Sequence, residues 1–486
     1  MTTIILTYII FFSYMILVVV MGELLQRLLK MDPDIVRKIE HILTAPCWLI
    51  MYFLCWPYNP LHTIIISGIG TALLGFITFS PFFKSVQRGD AKMSYGVFYF
   101  GLICFIVTLF QFFYNQSIEY YALIGICYFT LSLADGLAPL VARLFKNHNI
   151  KLREGKSLAG SLTVFIVTFL VILTFNLIFN FQFSWLYMFS FAALIFICEF
   201  YGYKGLDNIF IVLFGFIYLM LEKEGLNNIG MPVSFLLGTG LILVNCKIKA
   251  VTEGGIVAAV ICGTLCAFFG GVVVTILIVT TFSINVIASK IAKKVNHIET
   301  KSKPRKLSQI LCNISVTTIL CILAYFLSDP RFIIAACGVV IEEFADSMAS
   351  DVGRYCKNRP LDILRFKTID PGVSGGVSWL GTLVCLISIF AVTPLLFIND
   401  IITPLQYPFV ALLAFLGVFI DSILGSLIQA RYKCEVCGVL TDHKEHCDKP
   451  TTQVSGIKFV TNSMVNVLAG TLTAGVFLIF LLTNII

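Results

Sequence analysis

The sequence predicts an all-α, polytopic integral membrane protein with about 14–16 transmembrane helices, and three observations indicate this fold class. The chain of 486 residues is 58% hydrophobic with a mean hydropathy of +0.93, and only 13% of its residues are charged, against roughly 25% in soluble proteins. Apolar runs of membrane-spanning length recur from residues 3–22 to residues 465–486. Alternating segments of about ten residues, which are typical of membrane β-barrels, are absent from the sequence.

The first apolar run and the basic loops predict the topology. Residues 4–20 have no basic segment before them, so we interpret them as a first spanning helix and not as a cleaved signal peptide. All but two of the 34 Lys and Arg residues, Lys223 and Arg331 being the exceptions, fall in loops on one predicted side. Basic loops face the cytoplasm, which accounts for the net charge of +7 without a nucleic-acid partner. These loops are residues 21–40, 84–92, 143–157, 199–207, 246–252, 290–306, 351–375 and 431–458.

A motif that occurs twice predicts an internal duplication. "ADGLAPLVARLFKN" at residues 134–147 shares seven of 14 positions with "ADSMASDVGRYCKN" at residues 345–358. Upstream of the two copies, "RKIEH" resembles "RKLSQ". Because all these pieces border the same predicted face of the membrane, we expect two parallel, distantly repeated halves, residues 1–250 and 251–486.

Each copy of the motif places an aspartate inside a predicted span, Asp135 in the first half and Asp346 in the second. An ionised carboxylate deep in a span costs at least about 2.5–3.5 kcal/mol, so a cation is expected beside it. Magnesium is held by one or two carboxylates together with phosphate oxygens. A lysine follows each aspartate by 21 residues, Lys156 and Lys367, and lysine binds phosphate as a point charge. The pattern predicts two Mg²⁺-nucleotide sites; aspartates paired with lysines for structure or ion conduction are the alternative.

Basic, small and polar residues near the two aspartates are candidates to complete these sites. Arg and Lys bind phosphate, and glycine lets backbone amides approach an anion. The candidates for nucleotide or phosphate binding are Arg37, Lys38, Arg143, Lys146, Ser157, Gly160, Ser161, Arg305, Arg354, Lys357, Gly372, Ser374, Gly375 and Gly376. The candidates for supporting the substrate or the metal are Glu199, Asp207, Asn208, Glu342, Glu343, Ser347, Asp421, Gln429, Asn462 and Asn466. For Asp207 and Asn208, capping of a helix end is the alternative.

A cysteine–histidine cluster in the second half predicts a further metal site. Cys434 and Cys437 are followed by His446 and Cys447, and these are the ligand types of a zinc knuckle. The adjacent His–Cys pair is awkward for joint coordination, so His443 is a possible substitute. A cluster of reduced cytosolic thiols is the alternative to a Zn²⁺ site.

The motifs of the first half resemble those of the dolichol kinase and phytol kinase family of polyprenol kinases, which is itself similar to phosphatidate cytidylyltransferases. They are "RKIEH", "LADGLAPLVARLF", "KSLAGSLTVF" and "GLDN". The second half resembles the phytyl-phosphate kinase family of integral membrane proteins, through "RKLSQILCN", "FADSMASDVG", "PGVSGGVSWLGT", "DSILGSLIQARYKCEVCG" and "GIKFVTNSMVN". The resemblance implies two successive reactions on phytol, geranylgeraniol or farnesol: alcohol to monophosphate, then monophosphate to diphosphate. It also implies CTP, or another nucleoside triphosphate, as donor, with Mg²⁺.

The resemblance also implies residue roles. Asp135 and Lys156 would serve the alcohol kinase site, where His41 is a candidate base because imidazole titrates near neutral pH. Gln309 stands at the position of His41 in the second half, where a phosphate acceptor needs no strong base. The residues that would serve the second site are Asp346, Lys367, the turn 372–376, Asp421, Asn462 and Asn466.

Two other function classes stay open. Duplicated halves with intramembrane acids also suit a transporter, although the polar residues gather on the predicted cytoplasmic face. Transfer of a cytidylyl group to a lipid phosphate is the second alternative. Neither half contains a P-loop or the protein-kinase loop set, so a nucleotide site here would be of another kind.

Overall fold

The computed structural model shows a predominantly helical chain with four small antiparallel sheets in the part it describes. Four candidates of the nucleotide sites, Lys146, Arg354, Lys357 and Gly372, lie outside that part. The described residues are 2–54, 59–79, 95–145, 150–153, 155–202, 205–226, 228–295, 304–353, 359–370, 373–447 and 449–483.

The chain divides into two compact units. Unit 1 comprises Met1–Asn227 and Gly238–Cys246, and unit 2 comprises Asn228–Leu237 and Lys247–Ile486. The internal duplication of residues 1–250 and 251–486 stays a prediction.

The first 248 residues form eleven α-helices and one hairpin among the described residues. The helices are α1 (Thr2–Arg27), α2 (Pro33–Leu43), α3 (Pro46–Leu54), α4 (Leu61–Phe79), α5 (Gly96–Tyr114), α6 (Ile118–Phe129), α7 (Gly136–Leu144), α8 (Leu158–Phe179), α9 (Trp185–Tyr201), α10 (Leu206–Lys223) and α11 (Gly230–Ile248). A π-helical turn, Thr130–Asp135, joins α6 to α7, and strands β1 (Lys151–Arg153) and β2 (Lys156–Ser157) form the hairpin.

The remaining described residues form six helices and three small sheets. The helices are α12 (Glu253–Val295, broken at Gly271), α13 (Leu307–Leu327), α14 (Arg331–Gly353), α15 (Trp379–Val392), α16 (Tyr407–Leu427) and α17 (Asn462–Leu482), with a 3₁₀ segment at Thr393–Asp400. The strands are β3 (Leu361–Asp362), β4 (Gly376–Val377), β5 (Arg431–Lys433), β6 (Leu440–Thr441), β7 (Glu445–His446), β8 (Lys449–Pro450) and β9 (Thr452–Ser455). They pair as β3–β4, β6–β5–β9 and β7–β8.

Eleven helices in the described ranges are long and apolar enough to cross a membrane. The predicted fold class, an all-α polytopic membrane protein, is therefore confirmed. The number is lower than the 14–16 of the sequence prediction for a physical reason. Helices α10 and α14 reach spanning length but carry three or more charged residues each, and α9 is shorter than the rest.

The central helix of each unit carries the repeated aspartate. It is the continuous segment Ile118–Leu144, which comprises α6, the π-turn and α7, in unit 1, and α14 in unit 2. In unit 1, residues 120–128 of α6 are all buried, and the π-turn after them packs against α2, α8 and α10. In unit 2, residues 334–342 of α14 are buried, and this helix packs against α12, α13, α15, α16 and α17. Both aspartates therefore follow directly on a helix segment that is enclosed by other helices.

A hairpin and a capped helix stand beside each central helix. Ser157 caps α8 and accepts a hydrogen bond from Gly160 N, and Ser378 caps α15 and accepts one from Gly381 N. A Cβ at Gly160 would lie 3.2 Å from the carbonyl oxygen of Ala138 in α7, three residues after Asp135. A Cβ at Gly381 would lie 3.3 Å from that of Ala349, three residues after Asp346. The two glycines let each capped helix approach the central helix closely.

We expect Gly160→Val to lower the thermal unfolding temperature of the detergent-solubilised protein, because the new side chain would meet the backbone of α7. Overpacking of this kind costs about 1–3 kcal/mol. Gly240→Val in α11 is the matched control, since nothing lies within 4 Å of a Cβ there. Equal unfolding temperatures for the two variants would show that α7 and α8 are not in close contact.

Candidate functional site

Asp135 in unit 1 is enclosed and has its own cationic partner. Only 5% of this residue is exposed. Lys38 of α2 donates from Nζ to Asp135 Oδ2 at 2.7 Å and to the Asp135 carbonyl oxygen at 3.1 Å. His41 Nε2, one turn further along α2, lies 3.4 Å from the same carboxylate oxygen. The charge of the carboxylate is therefore compensated by the amphipathic helix α2.

Pro139 explains why the carbonyl of Asp135 is available to Lys38. Proline lacks an N–H, so inside a helix it leaves the carbonyl four residues earlier without its usual donor. In α7 that carbonyl belongs to Asp135. Lys38 supplies the missing donor and holds the backbone and the side chain of the aspartate together.

His41 is held in one orientation beside Asp135. Its Nε2 donates to the carbonyl oxygen of Leu131 at 3.1 Å, and its ring packs edge-on against Phe100. The donating Nε2 leaves Nδ1 as the basic nitrogen of a neutral ring. Burial lowers the pKa of His41 to about 4, although Asp135 opposes the shift. The imidazole is therefore neutral at neutral pH and can accept a proton.

A second ion pair lies near the first. Lys156 of β2 pairs with Glu199, which is buried at the end of α9. Burial lowers the pKa of Lys156, but Glu199, with smaller contributions from Asp207 and Asp135, raises it above its ordinary value. Asn208 Nδ2 donates to the carbonyl oxygen of Gly96 at 2.7 Å, so it holds α10 to α5. Lys156, Glu199 and Asn208 therefore each have a partner within unit 1.

A pocket in unit 1 that is open to solvent brings these polar groups into one cleft with largely apolar walls. Its polar lining includes Lys38, His41, Asp135, Asp207 and Asn208. Its apolar lining includes Phe11, Val18, Trp48, Met51, Phe100 and Tyr128. A cleft with apolar walls and a few convergent charged groups is typical of a small-molecule site.

The acids of unit 2 form a different arrangement. Glu342, Glu343 and Asp346 follow one another along α14, and Asp421 of α16 lies close enough to interact electrostatically with all three. Gly417 of α16 makes room for this approach, since a Cβ there would lie 2.7 Å from Glu342 Cγ. Four carboxylates therefore face one another inside the helical bundle.

These four acids form no ion pair with a Lys, Arg or His within the described part of the chain. Glu342 is only 2% exposed. Its Oε2 and the Oε1 of Glu343 are buried without a hydrogen-bond partner among the described residues. Buried carboxylates of this kind need a proton or a cation, and carboxylate oxygens are ligands that hard divalent cations prefer.

The glycine turn of unit 2 is held by a set of ion pairs and hydrogen bonds. Arg431 Nη1 donates to Asp362 Oδ2 at 3.0 Å, and its Nη2 donates to the Ser374 carbonyl oxygen at 2.7 Å. Asp442 Oδ2 accepts from Ser374 N at 3.0 Å and from Gln429 Nε2 at 2.8 Å. We call these five residues the turn clamp. Gln429 and Ser374 therefore help to fix the conformation of the glycine turn.

Lys367 does not take the position of Lys156. Lys156 directly precedes the cap Ser157, but the residue before the corresponding cap Ser378 is Val377. The equal spacing of 21 residues does not give the two lysines equivalent positions, because unit 2 has a longer loop before the cap, and the phosphate role of Lys367 stays a prediction. Lys367 is exposed in that loop.

Other predicted residues lie outside the two acid clusters. Arg143 pairs with Asp32 at 2.8 Å, and both side chains are 46% exposed. Arg37 lines the unit 1 pocket and lies 3.5 Å from Asp34. Arg305 lies over the ring of Phe282. The phosphate roles of the three arginines stay predictions.

The polar groups at the ends of α13 and α17 contact each other. Asn462 Nδ2 donates to Asn466 Oδ1 at 3.2 Å, and Asn466 Nδ2 donates to Asn313 Oδ1 at 3.4 Å. Gln309 Oε1 accepts from the backbone N–H of Lys306 and closes the first turn of α13. It therefore caps its own helix, whereas His41 contacts an acid. Ser347, the remaining support candidate, is half-buried on α14, and Ser161 is buried on α8.

The comparison with known proteins assigns the family. Over 165 residues the chain is 31% identical to the phytol kinase of Synechocystis sp. (strain ATCC 27184 / PCC 6803 / Kazusa), and the match covers 34% of this chain and 67% of that protein. The chain belongs to the phytol kinase family. The chain also matches Protein PGR of Arabidopsis thaliana, with 27% identity over 192 residues. This match covers 34% of this chain and 65% of that protein.

Further comparisons bear on the second half. Residues 236–474 of the chain match the family described as "Integral membrane protein DUF92". The chain spans about two thirds of the length of each of these two curated relatives. No solved structure matches it. The predicted relationship to polyprenol kinases is therefore confirmed, and the fusion of two kinases in one chain stays a prediction.

Several contacts of the site leave no signal in the sequence. Pro139 and Lys38 lie far apart in sequence, and only packing of α2 on α7 joins them. Asp362, Arg431 and Asp442 of the turn clamp lie outside the repeated motif. The buried pair of Arg431 and Asp362 joins two loops that are both rich in charged residues, so the sequence around it does not single it out.

Removing the partner of Asp135 tests the unit 1 ion pair. We expect Lys38→Met to destabilise the protein by about 3–5 kcal/mol, because it leaves a buried carboxylate uncompensated. Lys38→Met combined with Asp135→Asn should recover most of that loss. Arg143→Met, which breaks an exposed pair, should cost at most about 1 kcal/mol. Thermal unfolding in detergent measures all three; equal losses for Lys38→Met and Arg143→Met would contradict the pairing.

Proposed function

We propose that the chain is a bifunctional prenol salvage kinase. Unit 1 would phosphorylate an isoprenoid alcohol to its monophosphate, and unit 2 would phosphorylate the monophosphate to the diphosphate, with CTP or another nucleoside triphosphate as donor. The observation that carries the proposal is the unit 1 pocket, where Lys38, His41 and Asp135 line a cleft whose other walls are largely apolar. Family membership supports kinase chemistry on a lipid alcohol, since a relative is named phytol kinase.

The shape and chemistry of the unit 1 pocket suit the substrate. An isoprenoid tail is apolar and would lie against walls such as Trp48 and Phe100. Its hydroxyl would then reach the charged end of the cleft. Phosphoryl transfer demands charge neutralisation and in-line positioning, and little covalent chemistry from the protein. Lys38 and Lys156 would supply positive charge to the nucleotide phosphates.

In unit 1 the attacking oxygen, the leaving group and the proton acceptor of the proposed reaction can each be named. The hydroxyl oxygen attacks the γ-phosphorus, an O–P bond forms, and the bond to the bridging oxygen of the departing nucleoside diphosphate breaks. The hydroxyl proton would pass to Nδ1 of His41, whose ring is neutral because it is buried. Asp135 would hold the ring and stabilise the imidazolium that results.

A divalent cation would be held by different sets of ligands in the two units. In unit 1 the candidates are Asp135 and Asp207, two of the three carboxylates that line the pocket, and Mg²⁺ is usually held by one or two protein carboxylates. In unit 2 they are Asp346 and its three acidic neighbours. When bound, Mg²⁺ would neutralise charge on the transferring phosphoryl group. Asp135 and Glu199 of unit 1 are paired with lysines, whereas the four acids of unit 2 form no ion pair within the described part of the chain, so unit 2 has the stronger need for a cation.

The second reaction is proposed for unit 2 on its acids and its glycine turn. The acceptor there is a monophosphate, which is already anionic and needs no base comparable to His41. The backbone around Gly375 adopts a left-handed conformation with φ of 79°, and a turn of this kind can present amides to an anion. The turn clamp would fix that loop. We propose that these active-site loops face the cytoplasm, where the nucleotide is available.

Two substitutions separate the two reactions. In purified protein supplied with Mg²⁺, geranylgeraniol or phytol and γ-³²P-labelled CTP, we expect mono- and then diphosphate. Asp135→Asn should stop use of the alcohol but leave phosphorylation of added prenyl monophosphate intact, which also shows that the variant is folded. Asp346→Asn should let monophosphate accumulate. Label from α-³²P-CTP in the lipid would instead reveal cytidylyl transfer.

The control for these substitutions is Asp329→Asn, which removes an acid paired with Arg331 at the opposite end of α14 from Asp346. It should leave both products unchanged. Parallel reactions with ATP, UTP and GTP identify the donor. Wild-type yields of both products from Asp135→Asn and Asp346→Asn would overturn the assignment.

His41→Gln tests the base. We expect the rate of alcohol phosphorylation to fall by roughly 10²-fold or more, the usual contribution of a positioned base. The rate with added prenyl monophosphate should stay at the wild-type value, because that acceptor carries no proton that must be removed. A loss of both activities in parallel would indicate that His41 acts on the fold and not on the alcohol.

A further inference from the structure

We propose that one structural Zn²⁺ is bound by Cys434, Cys437, His446 and Cys447. This ion fixes the segment that connects Arg431 to Asp442, two residues of the turn clamp. The inference does not rest on the kinase proposal. One ligand atom from each residue lies within 4.8 Å of the others, and no other group of this kind is found among the described residues. Three thiolates and one imidazole are a complete tetrahedral set, which is typical of closed structural zinc sites.

The distances fit the ion. His446 Nδ1 lies 3.4 Å from Cys437 Sγ and 3.2 Å from Cys447 Sγ. In a tetrahedral site, bond lengths of about 2.3 Å to sulfur and about 2.0–2.1 Å to nitrogen separate sulfur from nitrogen by about 3.5 Å. The ligand atom of the histidine is therefore Nδ1. His443 does not belong to the cluster, so it is not needed as a substitute.

The backbone shows how two adjacent residues reach one ion. Cys447 has a left-handed conformation with φ of 52°, which is rare for a residue with a side chain. This conformation turns the Cys447 thiol toward the same point as the His446 ring. Gly438, with φ of 72°, closes the tight turn after Cys437, and its N–H donates to the Cys434 carbonyl oxygen. Ligation provides a reason for the strained cysteine that packing does not, since Cys447 is exposed.

The four proposed ligands lie at one end of the β6–β5–β9 sheet, which contains Arg431 of the turn clamp. Cys434 directly follows β5, which contains Arg431, and Cys437 precedes β6, after which Asp442 comes. His446 lies in β7 of the neighbouring hairpin. A cross-link at this point would fix both ends of the β5–β6 connection. It would thereby fix Asp442 against Ser374 N, and the role of the ion is structural because no ligand position remains for substrate.

Metal content of the full-length protein tests the site. Purified in detergent without chelators, the wild type should contain about one zinc per chain by mass spectrometry of metals. Cys437→Ser should reduce that content at least tenfold, and because Cys437 is exposed the variant should still elute as folded protein. Cys246→Ser, in α11, is the matched control and should keep its zinc.

Two further measurements keep the test decisive if Cys437→Ser does not fold. Wild-type protein stripped of zinc and loaded with Co²⁺ should show the thiolate-to-cobalt absorption of a tetrahedral site. Zinc removal should also raise hydrogen exchange at least severalfold in a peptide covering Ser374, but not in one covering Ser157. Wild-type protein without zinc or cobalt absorption, a disulfide within the cluster, or unchanged exchange at Ser374 would each overturn the proposal.

Discussion

A buried carboxylate on the central helix of each unit sets the arrangement of the elements around it. An ionised group enclosed by helices is tolerated only with a compensating charge. In unit 1 the compensation is part of the chain: Lys38 contacts both the side chain and the carbonyl of Asp135, and Pro139 is the reason that the carbonyl is free. Helix α2 must therefore pack on α7, and the pocket forms where it does.

Unit 2 uses a related arrangement of elements with a different charge balance. In both units a hairpin leads to a serine-capped helix that touches the central helix three residues after the aspartate. Where unit 1 has Lys156 beside the cap and pairs it with Glu199, unit 2 has Val377. Unit 2 instead gathers four acids without an ion pair among the described residues. This difference favours external cations in unit 2 and protein cations in unit 1.

The loops of unit 2 are as specific as its helices. Arg431 and Asp362 form a pair with almost no exposure. The pair is tolerated because Asp362 also accepts hydrogen bonds from Ser426 and two backbone N–H groups, and Arg431 also donates to the carbonyl oxygen of Ser374. The proposed zinc ion would act on the same loop from its far side. Together they would give the glycine turn a fixed conformation, which a phosphate-binding loop needs if its amides are to point at an anion before the ligand arrives.

The fold class, the enclosed aspartates and the family relationship could all be predicted from the sequence, because hydropathy, charge content and local motifs are properties of contiguous residues. The pairing of each acid with its cation could not, since it depends on how distant helices and loops pack. Lys38 lies 97 positions from Asp135 and Arg431 lies 69 from Asp362, and no local pattern encodes such pairs. The same limit explains the wrong equivalence of Lys156 and Lys367: equal spacing in sequence does not survive a change in loop length, whereas the serine cap and its glycine are fixed by contact with the central helix.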